Sequence, residues 1–195
     1  MTDELPDGLP RSVPVRGAFD VLVRFSPASL VHHAVRSTLL AADLGRRLRL
    51  PVDDEVLAVA GLLHDTGLTA GFDVHTEPFE VAGGNVAWAV TAGAGWSIDR
   101  RDRVARAVVD HTLDDDDVPP DERPEGYLLA RSTGADVSGR GLEHWPATLR
   151  VELEARWPRL DFRDTFSACL RDQAARKPAS VVAAYVATGG ADRVR

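Results

Sequence analysis

Residues 56–65 read Val-Leu-Ala-Val-Ala-Gly-Leu-Leu-His-Asp, and this run decides the fold. Asp53 ahead of it is a good helix cap, and Gly67 behind it suits the left-handed position that ends helices, so the spacing predicts a helix over 53–65. Its body is apolar on nearly every side, and a helix of that kind is buried by its neighbours. The end of a buried helix is buried too, yet it carries an imidazole and a carboxylate. Leaving both unpartnered there costs several kcal/mol. Adjacent helical residues stand about 100° apart around the axis, so His64 and Asp65 can both reach one ion. A divalent cation is an efficient partner for them. Gly61, one turn earlier, lets another helix approach closely. The plainer reading of the pair, a surface cap on a helix end, stays open from the dipeptide alone.

Outward from this run the chain reads as further helices joined by short loops. Ser26-Pro27 starts a helix running to Leu48, with Leu30, Leu40 and Leu44 on one face. Others are expected at 78–91, 99–112, 126–138, 146–155, 161–175 and 179–187. The stretch 69–77 is a loop, as is 113–125 with its four consecutive aspartates. Residues 1–16, with three prolines among polar residues, are expected to form a flexible arm. No alternating strand pattern occurs, so the fold class is all-α.

The 195 residues suffice for one domain with a sizeable core. A net charge of −7 argues against nucleic acid or an anionic membrane as partner, leaving a small-molecule substrate and the option of a homo-oligomer. One cysteine, Cys169, precludes an intrachain disulfide and fits a reducing cytoplasm. The acidic, Pro-rich start does not read as a signal peptide, and no apolar run reaches the roughly 20 residues of a membrane span.

The remaining polar candidates separate by helical face. His33 shares the stripe of Leu30, Leu40 and Leu44, whereas His32 lies with Ser29, Arg36 and Asp43 on a solvated face. Asp136 shares a face with Leu129 and the Ser132-Thr133 pair. His111 continues the Val104, Ala107 and Val108 face and is the leading candidate for moving a proton. His75, in the loop after the His-Asp pair, is a second. Arg36, Glu80 and Thr66 are candidates for substrate contact or for supporting the site; Glu80 reads equally as a favourable charge near a helix N-terminus. His144 reads as surface, Asp114–Asp117 as a solvated acidic loop without calcium-loop spacing, and Cys169 as core.

A histidine on an early helix, a His-Asp pair about 30 residues later and a late aspartate together resemble the HD-domain superfamily of metal-dependent phosphohydrolases. The resemblance implies a helical domain over 17–190 in which His33, His64, Asp65 and Asp136 hold one divalent metal, with Asp65 also serving catalysis. Such a nitrogen–oxygen donor set suits zinc or iron(II), then manganese, cobalt or nickel. His33-Ala34-Val35-Arg36, Phe79-Glu80 with Gly83-Gly84, Trp157-Pro158-Arg159-Leu160 and Arg176-Lys177-Pro178 are similar to cyanamide hydratase and its bacterial relatives. That branch implies a hydro-lyase adding metal-activated water to a small nitrile-like molecule. The loop 69–77, which departs from the branch, is expected to help form the pocket. Two alternatives stand beside this reading. One is hydrolysis of a nucleotide or other phosphate ester, disfavoured by Leu68 and a loop without lysine or arginine; the other is a non-catalytic ligand-binding HD module.

Overall fold

A computed structural model describes residues 4–195, and residues 1–3 of the expected arm lie outside the described part. Among the described residues there are nine α-helices and no strand. In chain order they are α1 (Val13–Phe25), α2 (Ala28–Leu48), α3 (Asp54–Leu63), α4 (Phe79–Gly93), α5 (Ile98–Asp110), α6 (Pro124–Ser138), α7 (Ala147–Arg156), α8 (Phe162–Arg176) and α9 (Val181–Ala187).

α3 is the axis of the bundle. Every residue from Val56 to Leu63 is buried, as the all-round apolar run requires, and α1, α2, α4, α5 and α6 surround it. Asp53 caps it, its side chain accepting the backbone N–H groups of Glu55 and Val56. Gly61 lets α2 close in: a Cβ there would stand 2.4 Å from Thr38 Oγ1. Gly67 serves a different purpose from the one expected. It has no positive φ and sits in a 3-10 turn, Thr66–Leu68, where a Cβ would lie 2.0 Å from the carbonyl oxygen of Phe79. Close packing against the start of α4, not helix termination, requires the glycine.

Two further expectations change. The N-terminal segment is not a loose arm over its described residues. Leu5 and Leu9 are buried in the main core, and α1 begins at Val13 with Val15, Ala18, Phe19 and Leu22 facing inward. Ser26 and Pro27 do not open α2 as cap and first residue: Ser26 ends α1, and Pro27 holds the extended position before Ala28.

The apolar interior forms two clusters. The larger joins α1–α6 and receives Trp145 and Trp157. The smaller joins Leu30, Leu68, Phe79 and Val137 to side chains of α8 and α9. His33, His64, Asp65 and His111, of the polar residues singled out in the sequence, gather at one cavity with Phe79, Val137, Phe166, Leu170 and Val182 of the smaller cluster. No helix is long and apolar enough to cross a membrane among the described residues.

Candidate metal centre and its cavity

α2 contributes His33 and the end of α3 contributes His64 and Asp65, all buried. Each imidazole is oriented by a hydrogen bond at Nδ1. His64 Nδ1–H donates to the Gly61 carbonyl at 2.7 Å, and His33 Nδ1–H donates to Asp136 Oδ2 at 2.7 Å. Both rings therefore turn Nε2 toward one point, where the two nitrogens stand 3.2 Å apart. Asp65 Oδ2 joins them, 3.4 Å from His33 Nε2 and 3.1 Å from His64 Nε2. Neither oxygen of this buried carboxylate has a hydrogen-bond donor of its own.

Three electron-pair donors thus converge on one buried point, an arrangement that only positive charge stabilises. Burial opposes a proton on His33, but the Asp136 and Asp65 carboxylates hold its pKa above the ordinary value. Burial likewise opposes ionisation of Asp65, and the His64 and His33 imidazoles more than offset it, keeping the carboxyl ionised. A divalent cation meets the same need better. His33, His64 and Asp65 place one donor atom each within 4.8 Å of one another, and no other such group occurs among the described residues. Three protein donors leave positions for water and substrate.

Asp136 is not part of this group, contrary to the expectation that it is a fourth ligand. It lies on the far side of the His33 ring. Arg36 grips it through both Nε and Nη2, at 2.8 and 2.7 Å, and Arg159 Nη1 approaches at 3.3 Å. Its oxygens are spent on these cations and on His33, which is why its pKa falls despite burial. In this geometry Asp136 faces His33 Nδ1, on the side of the ring away from the three converging donors, where it orients the imidazole. Arg36 changes role with it. Fully buried, it binds Asp136 and the Trp157 carbonyl and does not reach the cavity. Arg159 and Trp157 come from the Trp-Pro-Arg-Leu segment, so that motif supports the back of His33.

His111 closes α5 beside the centre. Its Nδ1–H donates to the Val108 carbonyl, so Nε2 carries the lone pair and faces Asp65 Oδ1 at 3.8 Å. Burial, reinforced by the neighbouring His64, pushes its pKa down to about 4. Near neutral pH it is an uncharged proton acceptor. His75 does not join it: the loop carries it into solvent. Thr66 is buried but spends its hydroxyl on the Leu63 carbonyl at 2.7 Å. Glu80, in the first turn of α4, is buried with Oε2 unpartnered and its pKa raised by burial, outside the cavity wall.

A cavity of about 610 Å³ opens above His33, His64, Asp65 and His111. α6 turns Ala130, Thr133 and Val137 toward it, whereas α4 and α8 contribute Phe79, Phe166 and Leu170. α9 adds Val182 and Tyr185, and Arg140 and Arg193 stand exposed at its mouth with Asp114 and Asp117. The loop 69–77 contributes nothing to this wall, so the expectation that it shapes the pocket fails. Asp73 ties it to the end of α8 instead, accepting from Gln173 Nε2 at 2.9 Å and Lys177 Nζ at 3.0 Å. The Arg-Lys-Pro segment is thus a loop clamp. Phe166, Leu170, Val182 and Tyr185 were not singled out by sequence because apolar residues on late helices carry no mark distinguishing a cavity wall from core.

The sequence model of one family, the HD domain, matches residues 30–132, just over half of the chain. The match takes in His33, His64, Asp65 and His111 and ends before Asp136. No curated protein matches the chain closely enough to count as a relative.

Proposed function

Because this chain belongs to the HD-domain family, we propose that it is a metal-dependent enzyme adding water to a small uncharged, nitrile-like group. The convergence of His33 Nε2, His64 Nε2 and the unpartnered Asp65 carboxylate carries the metal assignment. A divalent ion held there supplies Lewis-acid polarisation and an activated water; zinc or iron(II) suits this donor set best. His111 Nε2, unprotonated near neutral pH, accepts the proton as the water oxygen bonds to the nitrile carbon. One π bond of the carbon–nitrogen triple bond breaks in that step. The nitrogen then takes the proton back from His111, and the imidic acid so formed rearranges to the amide. Asp136 and Arg36 hold His33 in register throughout.

The neutral substrate is favoured because the buried part of the cavity holds no arginine or lysine; Arg36 and Arg159, close by in the fold, are both engaged by Asp136. Phosphoryl transfer calls for cations around the reacting group. The second reading, hydrolysis of a phosphate ester, draws on Arg140 and Arg193 at the mouth. Metal content by mass spectrometry, followed by assays of amide formation from nitriles and phosphate release from nucleotides, separates the two. Amide formation lost together with bound metal in His64→Ala supports the proposal. Phosphate release alone replaces it with the second reading, and absence of bound metal after metal-supplemented expression overturns both.

A further inference from the structure

The cavity is too large and too apolar for a substrate consisting of little more than its reacting group. A three-atom nitrile displaces roughly two to three waters at about 30 Å³ each, whereas the space above the metal centre is about 610 Å³. That is the size range of sites that enclose a whole organic ligand. Its walls are graded by depth. The floor is the polar group of His33, His64, Asp65 and His111. Above it comes a buried apolar belt of Phe79, Val137, Phe166, Leu170 and Val182. Charge returns only at the exposed mouth, which carries two acids, Asp114 and Asp117, and two arginines, Arg140 and Arg193, with Arg140 Nη1 3.7 Å from Asp114 Oδ1. The opposite signs balance, so the mouth selects neither an anion nor a cation.

Resting on the reaction proposed above, we infer that the substrate carries its reacting group on an uncharged apolar body that fills this belt. The body is aliphatic or aromatic and several carbons long. Its desolvation against Phe166, Leu170 and Val182 supplies binding, while the polar end is delivered to the floor. Each methylene entering such a belt strengthens binding about fourfold until the space is filled. The belt comes from α8 and α9 with single residues of α4 and α6, so substrate preference is set by a part of the chain separate from the metal donors.

Product amides test this independently of turnover. With metal-loaded protein, isothermal titration of the straight-chain series from acetamide to octanamide should give affinity rising about fourfold per methylene over the first several members. Binding should carry a negative heat-capacity change, the mark of apolar burial. Nitriles of the same chain lengths should follow the same order in kcat/KM. Val182→Trp narrows the belt and Ala184→Trp, at an exposed lining position, obstructs it from the mouth. Either variant that keeps its metal and melting temperature should lose the gain for long chains, flattening the rise of affinity with chain length. Affinity that is flat or falls with chain length in the unmodified protein overturns the inference. Affinity that climbs while no nitrile is turned over upholds the apolar belt and overturns the proposed reaction.

Discussion

Asp136 illustrates what one residue's environment decides. Helical periodicity identifies it as inward-facing, and it is, but a face does not say which neighbour the carboxylate meets. Its distance in sequence from Arg36 and Arg159 hides the two guanidiniums that claim it. Period separates His33 from His32, but the face it assigns to His32 is not solvated: Ser29 and Arg36 are fully buried beside it, and His32 itself is half-buried with a hydrogen bond to the Pro158 carbonyl. Asp136→Asn leaves a side chain of the same shape but a weaker acceptor for His33 and no charge for Arg36. It should lower metal affinity by about 10- to 100-fold, measured by competition with a chelating dye, without removing a ligand. A metal site that is unaffected would show that His33 needs no support. Proton linkage gives a second outcome at this scale. In metal-stripped protein His33 titrates above 6.5, so its stabilising contribution is complete below pH 6.5 and is lost as pH rises through the folded value. His111 titrates at about 4 when folded against 6.5 when unfolded, so its contribution is complete above 6.5 and is lost as pH falls toward 4. The two slopes oppose each other. Stability of the stripped protein should therefore peak near pH 6.5, and a monotonic rise in urea midpoint from pH 5 to 8 would contradict the His33 assignment.

Helices α2 to α9 were legible because each is long, amphipathic or bounded by recognisable capping and breaking residues. α1 was missed although Val15, Ala18, Phe19 and Leu22 have helical spacing. Prolines at 6, 10 and 14 dominated the reading, yet Pro14 occupies the first turn of the helix, where its missing N–H costs nothing. The turn between α3 and α4 is the element on which the metal centre depends most. Gly67 lies against the Phe79 carbonyl and Gly83 of α4 against the His64 carbonyl, where a Cβ would come to 2.9 Å. These two contacts fix the end of α3, and with it both His64 and Asp65. Gly67→Ala must push α4 away, since its Cβ meets backbone and not a flexible side chain. Differential scanning calorimetry should record a loss of about 2 kcal/mol or more, with reduced metal content in the folded fraction. A variant with unchanged melting temperature and full metal would mean that this packing yields freely.

For the whole molecule, the candidate metal site lies between the two apolar clusters, with His33 stacked on Phe162 of α8 at 4.6 Å. The bound ion should therefore act as a joint between the α1–α6 body and the α8–α9 layer. A chelator should lower the melting temperature by removing the linkage stabilisation, about 2.7 kcal/mol for metal held at a hundred times its dissociation constant, and re-addition should restore it. An unchanged transition would argue against any native-state metal. The sequence could announce the donors but not the cavity, because a cavity is made by how far apart elements settle, and no single segment encodes that distance.

The cavity's floor and roof also differ in when they are made. His33, His64 and Asp65 leave the ribosome long before Phe166, Leu170 and Val182 have been translated. The nascent chain has its complete donor trio early, while α8 and α9 do not yet exist to cover it. Loading during synthesis would meet an open site, whereas exchange in the finished protein would have to pass through the cavity. An ion taken up at that stage would be covered as α8 and α9 fold over it, so protein expressed in one metal and protein refolded in another should be compared for the ion each retains.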